Sequence, residues 1–433
     1  MKGISSLYNM AWFIAAPGLL PLFLLVTRVA GKKYMGIGER LTLFLPGDSH
    51  GPSTMWLHAI SVGELNALLP VARAIRNLEP SHPLVITTQT TAGMETARRS
   101  FPFAHAILYA PLDHPWSVKR FIRRFRPSVL LVMETGYWPN MLIQARLQGA
   151  MTILAQARMS ERSFQRWRRF PAIFRWVFNF FHCITVEDLP TRDRFVAAGA
   201  DKDRFRILPN TKFDNLETVS EDERSLLRKK LGLEPYDPVL VAGSTHPGEE
   251  RELAVAYKII REKYPKAILI LAPRRLERLE EVRREIVGLH LPVCNWTDLH
   301  AGSRVDGVVI IDTMGELARL YAIATVAFVG NSLFPPGGGH SLLEPAVQGV
   351  QVTHGPCVEN VAGNARQLGL LGASTMVRGY SDVVDHMKKT LESPEESRAS
   401  VRRAMNWIET QRGASSALAE ILLEGLQSRK SAL

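Results

Sequence analysis

The sequence predicts an α/β protein made of two Rossmann-like, doubly wound domains facing a cleft. Short apolar runs rich in β-branched residues alternate with helical periods, the pattern of a parallel sheet covered by helices. The alternation breaks once, at a polar connector near Asp214–Ser225, and then restarts. The loops after the strand runs carry carboxylates, arginines, histidines and glycines, and ligands of doubly wound sheets bind at such loops.

In the first half, Met55–Ile60, Leu84–Thr88, Ala106–Tyr109, Val129–Met133 and Thr152–Ala155 read as buried strands. Helical spacing of apolar residues predicts helices over Leu65–Asn77, Ala92–Ser100, Ser117–Phe125 and Asn140–Gln148. In the second half, strands are expected at Val239–Ala242, Ile268–Leu271, Val308–Ile311, Val326–Val329 and Gln351–Thr353. Helices are expected at Glu249–Lys263, Glu277–Ile286, Glu316–Ala324, Leu342–Gln348 and Asp382–Leu391, followed by amphipathic stretches at Glu395–Thr410 and Ser415–Gln427.

The chain of 433 residues is 46% hydrophobic, enough to bury the cores of two domains. Its formal charge of 53 − 42 = +11 favours an anionic partner. Basic and aromatic residues are not interleaved as a nucleic-acid surface requires, so nucleic acid is not expected. The cysteines, Cys183, Cys294 and Cys357, are too scattered for a zinc site or a disulfide framework. From Leu7 to Thr27 no residue is charged, and Arg28, Lys32 and Lys33 follow. That stretch predicts membrane attachment with the remainder of the chain on the cytoplasmic side. Pro17 and Pro21 interrupt it, so a full span and an interfacial anchor both stay open.

Several loops are placed to carry chemistry. Ser61 and Glu64 have capping-box spacing at a strand-to-helix turn, where a carboxylate is also placed to take a proton from a hydroxyl. Glu134 follows a buried strand and precedes a Trp-Pro-Asn turn. In "AGSTHPGEE", Ser244 and Thr245 offer capping oxygens, His246 faces either a phosphate or solvent, and Glu249 and Glu250 suit a first helical turn. Arg274 or Arg275, directly after a strand, offers a planar fork to a phosphate or carboxylate. Thr313 and Glu316 again have capping-box spacing, and the amides of Met314, Gly315 and Glu316 suit a base or a phosphate. In "GGGHSLLEP", the amides of Gly338 and Gly339 are expected to take phosphate and Glu344 the ribose hydroxyls. Arg166, Arg168 and Arg169 form a basic run, a solvated face or a place for an anionic group. A phosphate-binding G-x-x-x-x-G-K-[ST] loop, a dinucleotide-binding G-x-G-x-x-G and an Asp-x-Asp motif are all missing from the sequence. This argues against an ATPase, a dehydrogenase and a metal-bridged diphosphate-sugar transferase.

The ordered blocks "HAISVGE", "ETGYWPN", "ARMSERSF", "PNTKFD", "GSTHPGEE", "APRR", "DTMGEL", "FVGNSL" and "GGGHSLLEPA" resemble the Kdo (3-deoxy-D-manno-octulosonic acid) transferases of lipopolysaccharide synthesis. The resemblance implies a GT-B fold. It also implies transfer of Kdo from CMP-Kdo to a lipid A precursor, with inversion, no essential metal and no cofactor beyond the donor. It implies a site at the cytoplasmic face of the inner membrane, against an anionic lipid surface. It makes Glu64 the catalytic base and puts Glu134 in the same catalytic site. Ser244, His246, Arg274, Met314, Gly315, Glu316, Gly338, Gly339 and Glu344 fall at the CMP-sugar, and Arg166, Arg168 and Arg169 at the acceptor. Where the family usually reads Gly-Gly-Ser-Leu, this chain has Gly330-Asn331-Ser332-Leu333, and Cys357 stands where His is commoner. These departures leave open a related CMP-activated sugar on a glycolipid acceptor, and a membrane-anchored non-catalytic relic is the alternative of another class. The expected domains are an anchor over 1–33, an acceptor domain over 34–218, a nucleotide-sugar domain over 219–410 and a C-terminal helix over 411–433.

Overall fold

The computed structural model describes residues 3–14, 36–46, 53–299 and 304–430. The chain divides into two compact units, one of residues 1–215 with 411–433 and one of residues 216–410.

The first unit is built on a parallel sheet of seven strands: β1 Thr54–His58, β2 Leu84–Thr88, β3 Ala106–Tyr109, β4 Pro127–Met133, β5 Met151–Ala155, β6 Cys183–Val186 and β7 Phe205–Ile207. Their order is β3-β2-β1-β4-β5-β6-β7, so the winding reverses between β1 and β4. Every residue of β1, β2 and β4 is buried. Continuous apolar burial follows because helices cover both faces, and successive side chains feed opposite cores. Trp56, Val85, Leu130 and Leu154 enter one core, while Met55, Leu57, Ile86 and Leu131 enter the other. The second core is closed by Leu418, Leu422 and Leu426 of the helix Ala414–Lys430. The expected C-terminal helix therefore lies on the first sheet. Asp214 caps its start, accepting from Gly413 N at 2.6 Å and Ser415 N at 2.7 Å.

The second unit repeats the plan with β8 Val239–Thr245, β9 Ile268–Pro273, β10 Val293–Asn295, β11 Val308–Ile310, β12 Val326–Val329, β13 Gln351–His354 and β14 Ser374–Met376. Its order is β10-β11-β9-β8-β12-β13-β14, and the winding reverses between β8 and β12. All the pairings in both sheets are parallel.

Two expectations about local structure are corrected. The helix expected over Glu316–Ala324 is a single turn, Leu317–Leu320, continued by a 3₁₀ turn, Tyr321–Ile323. Its Thr313/Glu316 capping box does not form: the hydroxyl of Thr313 is buried without a partner among the described residues, and Glu316 pairs instead with Arg319 at 2.6 Å. Of the stretch Leu7–Thr27, residues 7–14 belong to a helix over 3–14, and residues 15–27 lie outside the described residues. Among the described residues no helix is long and apolar enough to cross a membrane.

Candidate active site

In both sheets the informative loops leave the strands that flank the reversal of winding, where a crevice opens in any doubly wound sheet. In the first unit these are the loops after β1 and β4. The chain turns at Ser61, whose hydroxyl accepts from Glu64 N at 3.4 Å and starts the helix Val62–Leu78. The Glu64 carboxylate reaches back one residue beyond the usual capping-box partner: its Oε2 accepts from Ile60 N at 2.5 Å. Its Oε1 accepts from the Thr135 hydroxyl at 3.0 Å. Glu64 is only 7% exposed. Burial pushes its carboxyl up to about 7, against the opposing pull of the Ile60 N–H and the Thr135 hydroxyl. The Glu134 charge adds to the rise and the Lys212 charge subtracts from it.

Glu134, the first residue after β4, has φ of +47°, a left-handed conformation that a non-glycine residue holds at a cost. Its N–H donates to Ala155 O at 2.8 Å, which fixes the turn against β5. Lys212 Nζ lies 3.2 Å from its Oε1, and Arg158 3.7 Å from its Oε2. The two carboxylates thus differ in kind: cations hold Glu134, while neutral donors hold Glu64 and leave it poised near neutrality.

In the second unit, the loops after β8 and β12 meet on one buried carboxylate. Glu249 Oε2 accepts from His246 N at 2.8 Å and Asn331 N at 2.9 Å. Its Oε1 accepts from Ser332 N at 2.8 Å and Leu333 N at 2.9 Å. Ser332 extends the tie to β13, accepting from Gly355 N at 2.8 Å and donating to Val329 O at 2.6 Å. Asn331 has φ of +57°. Asparagine is among the few non-glycine residues that adopt this conformation readily.

Around this frame the nucleotide candidates gather. His246 and His340 approach with Nε2 atoms 3.4 Å apart. Burial, with the Arg274 and His246 charges, pushes His340 down to about 4. Arg274 N donates to Thr245 O at 3.0 Å, which sets the arginine at the ends of β8 and β9. Burial raises the Glu344 carboxyl and the Arg274 charge opposes it, while Glu344 in turn raises the Tyr321 phenol, itself lifted mainly by burial. Ser244, with φ of +54°, completes the group.

Comparison with known proteins decides the family. A family model described as 3-Deoxy-D-manno-octulosonic-acid transferase (kdotransferase) matches residues 35–215. A 3-deoxy-D-manno-octulosonic acid transferase of Chlamydia muridarum is 30% identical over 358 residues, covering 82% of each chain. The Haemophilus influenzae enzyme of the same name is 29% identical over 391 residues, covering 90% of this chain and 91% of its own. The chain belongs to the Kdo transferase family. It is an enzyme, a glycosyltransferase. A UDP-GlcNAc 2-epimerase from Neisseria meningitidis superposes with a TM-score of 0.59 at 15% identity, over 87% of this chain and 100% of that one, which places the Kdo transferase in the GT-B class of fold.

The structure revises the role given to the glycine run. Gly337, Gly338 and Gly339 all have positive φ, but their space is filled by the chain itself. A Cβ on Gly338 would stand 2.3 Å from Asn360 Nδ2, and one on Gly337 2.3 Å from Cys357 Cβ. The amides are engaged as well: Gly338 N donates to Cys357 O at 3.1 Å, Gly339 N to Asn331 O at 2.7 Å and His340 N to Gly330 O at 3.3 Å. The glycines let two loops pack closely, and the phosphate cradle expected of their amides is not formed. Met314 and Gly315 occupy an exposed turn after β11, and the carboxylate of Glu316 is held by Arg319.

Arg166, Arg168 and Arg169 lie on the exposed helix Glu161–Trp167 and just after it. No hydrogen bond or ion pair joins them to Glu64 or Glu134 among the described residues. Sequence reasoning missed Thr135, Arg158 and Lys212, although they stand inside the blocks "ETGYWPN", "ARMSERSF" and "PNTKFD", the first two in loops beyond a strand end and Lys212 in the 3₁₀ turn Thr211–Asn215. It also missed the organising role of Glu249, because a glutamate in a first helical turn has a sufficient local explanation.

Proposed function

We propose that the chain transfers Kdo from CMP-Kdo to a lipid A precursor, lipid IVA, with inversion and without a metal. The carrying observation is Glu64, a carboxylate at the reversal of the first sheet that burial pushes up to about 7 and that two neutral donors orient. An acceptor hydroxyl is a weak nucleophile, and a base with that proton affinity suits it at neutral pH. In the step, the acceptor oxygen bonds to the anomeric carbon of Kdo. The bond from that carbon to the phosphate oxygen breaks, its electron pair leaves with CMP, and the hydroxyl proton passes to Glu64. Glu134, ion-paired with Lys212 and Arg158, organises charge around the base.

On the second unit, Arg274 and the His246–His340 pair suit the phosphate, and Ser244, in the loop that precedes His246, suits the same donor. Glu344 suits the ribose hydroxyls. The amides of Met314 to Glu316 suit the cytosine. Arg166, Arg168 and Arg169 suit the acceptor phosphates. The helix over 3–14 exposes Leu7, Met10, Phe13 and Ile14, which supports work at a membrane surface, as the uncharged stretch that continues it also does. We assign that surface to the cytoplasmic face of the cell inner membrane, where anionic lipid would meet the net positive charge.

The test is direct. Membranes carrying the protein are incubated with CMP-Kdo and a tetra-acylated lipid A precursor, and the product is followed by mass. A mass gain of Kdo supports the reading, and no sugar addition where a known transferase works overturns it. CMP, but not UDP or GDP, is expected to raise the melting temperature.

A further inference from the structure

We propose that Tyr8 and Asp113 are positioning residues of the active site, through which the N-terminal helix sets the loop that carries Glu134 and Thr135. The proposal rests on the reading of Glu64 as the base, and it begins from an uncapped helix. Pro139–Leu147 starts directly after the loop Glu134–Trp138, and its own N-cap, Trp138, supplies no side-chain bond. The first amides of a helix need acceptors. Here they find one in a distant loop: Asp113 Oδ2 accepts from Asn140 N at 3.0 Å, and Oδ1 from Met141 N at 2.8 Å. The Asn140 side chain closes the contact, donating to Asp113 O at 2.6 Å.

Asp113 is buried, and its remaining donor comes from the N-terminal helix, whose Tyr8 hydroxyl lies 2.8 Å from Oδ2. That helix is seated on the same unit: Ile4 and Tyr8 pack on the first core, and Tyr8 lies 6.3 Å from the Trp176 ring. A carboxylate bound from three directions fixes where the helix Pro139–Leu147 begins. The start of that helix fixes the short loop before it, and Thr135 in that loop orients Glu64. The N-terminal helix is thereby structural support for the base, in addition to any contact it makes with lipid.

The test compares the full chain with Tyr8→Phe and Asp113→Asn at pH 8, above the value of about 7 to which burial pushes Asp113. Removing one hydrogen bond to a charged group is expected to lower kcat about tenfold in Tyr8→Phe, with KM for the sugar donor unchanged. Amide hydrogen exchange over Glu134–Met141 is expected to speed up in both variants. Co-sedimentation of Tyr8→Phe with anionic vesicles is expected to match the parent. Unchanged exchange over Glu134–Met141 in a folded Tyr8→Phe chain overturns the proposal, whatever the substrate proves to be. So does a loss of vesicle binding that accounts for the whole loss of rate. The exchange readout does not depend on Kdo transfer, so failure of the functional reading and failure of this inference are told apart.

Discussion

The Thr135 hydroxyl donates to Oε1 of Glu64 at 3.0 Å, so the loop after β4 orients the carboxylate that follows β1. With Ile60 N on the other oxygen, the side chain is bound on both sides by groups that carry no charge. Such an arrangement fixes direction without lowering proton affinity as far as a cation would. Reversal of winding places the two loops side by side, and the buried strands beneath them keep the pair rigid.

Glu64→Gln keeps the shape of the side chain and removes its basicity. It is expected to lower kcat by about 10²- to 10⁴-fold, the usual worth of general base catalysis. CMP affinity, measured by calorimetry, should stay at the parent value, because the loops proposed for the nucleotide belong to the other unit. An equal fall in CMP affinity would mean that Glu64 only supports the fold.

The pH profile gives a sharper reading. With the free carboxyl near 7, kcat/KM should fall about tenfold per pH unit below that value, since only the ionised form accepts a proton. Lys212 stabilises the ionised form, so Lys212→Met should move the acid limb upward. Thr135→Val should do the same, because the lost hydrogen bond also favoured the carboxylate. Glu134 disfavours the ionised form, so Glu134→Gln should move the limb downward. Limbs that stay in place in all three variants would assign the ionisation to another group.

The strands in the middle of each sheet were legible because burial on both faces demands unbroken apolar runs, as in Val129–Met133 and Ile268–Leu271. The edge strands β7, β10 and β14 were not, for they have three residues each and are only partly buried. Strand β6 was also missed: it is wholly buried but only four residues long, and it follows a phenylalanine-rich helix with the same apolar texture. Glu134 was legible because it follows directly on a strand run, and Glu64 because it lies in the first helical turn after one. Lys212 and Arg158 were not, since only the sheet order brings them to Glu134 from loops far apart in sequence. The glycine run showed that backbone approaches closely there. A glycine pattern does not say whether the close neighbour is a ligand or the chain itself, and here it is Cys357 and Asn360.

Glu249 is expected to hold the donor loops in place. Glu249→Gln replaces one oxygen by an amide, so two of the four N–H groups now face donors. At roughly 1–3 kcal/mol for a buried unsatisfied group, the second unit should lose about 3 kcal/mol or more in urea unfolding. CMP affinity should fall with it, since His246 and Asn331 sit on loops that the carboxylate joins. A stable variant with parent CMP affinity would show that the loops are set by something else.

Gly338→Ala tests why the glycines are there. The position has φ of +116°, and a Cβ would meet Asn360 Nδ2 at 2.3 Å. Backbone strain alone is of order 1–3 kcal/mol, and displacement of Asn360 adds to it. The double variant Gly338→Ala with Asn360→Gly removes the clash and keeps the strain. Its urea midpoint should therefore fall between those of the parent and Gly338→Ala, a coupling expected only of residues in contact. If the alanine variant unfolds like the parent but loses CMP affinity, the glycine made room for the nucleotide instead, and the packing account of this loop fails.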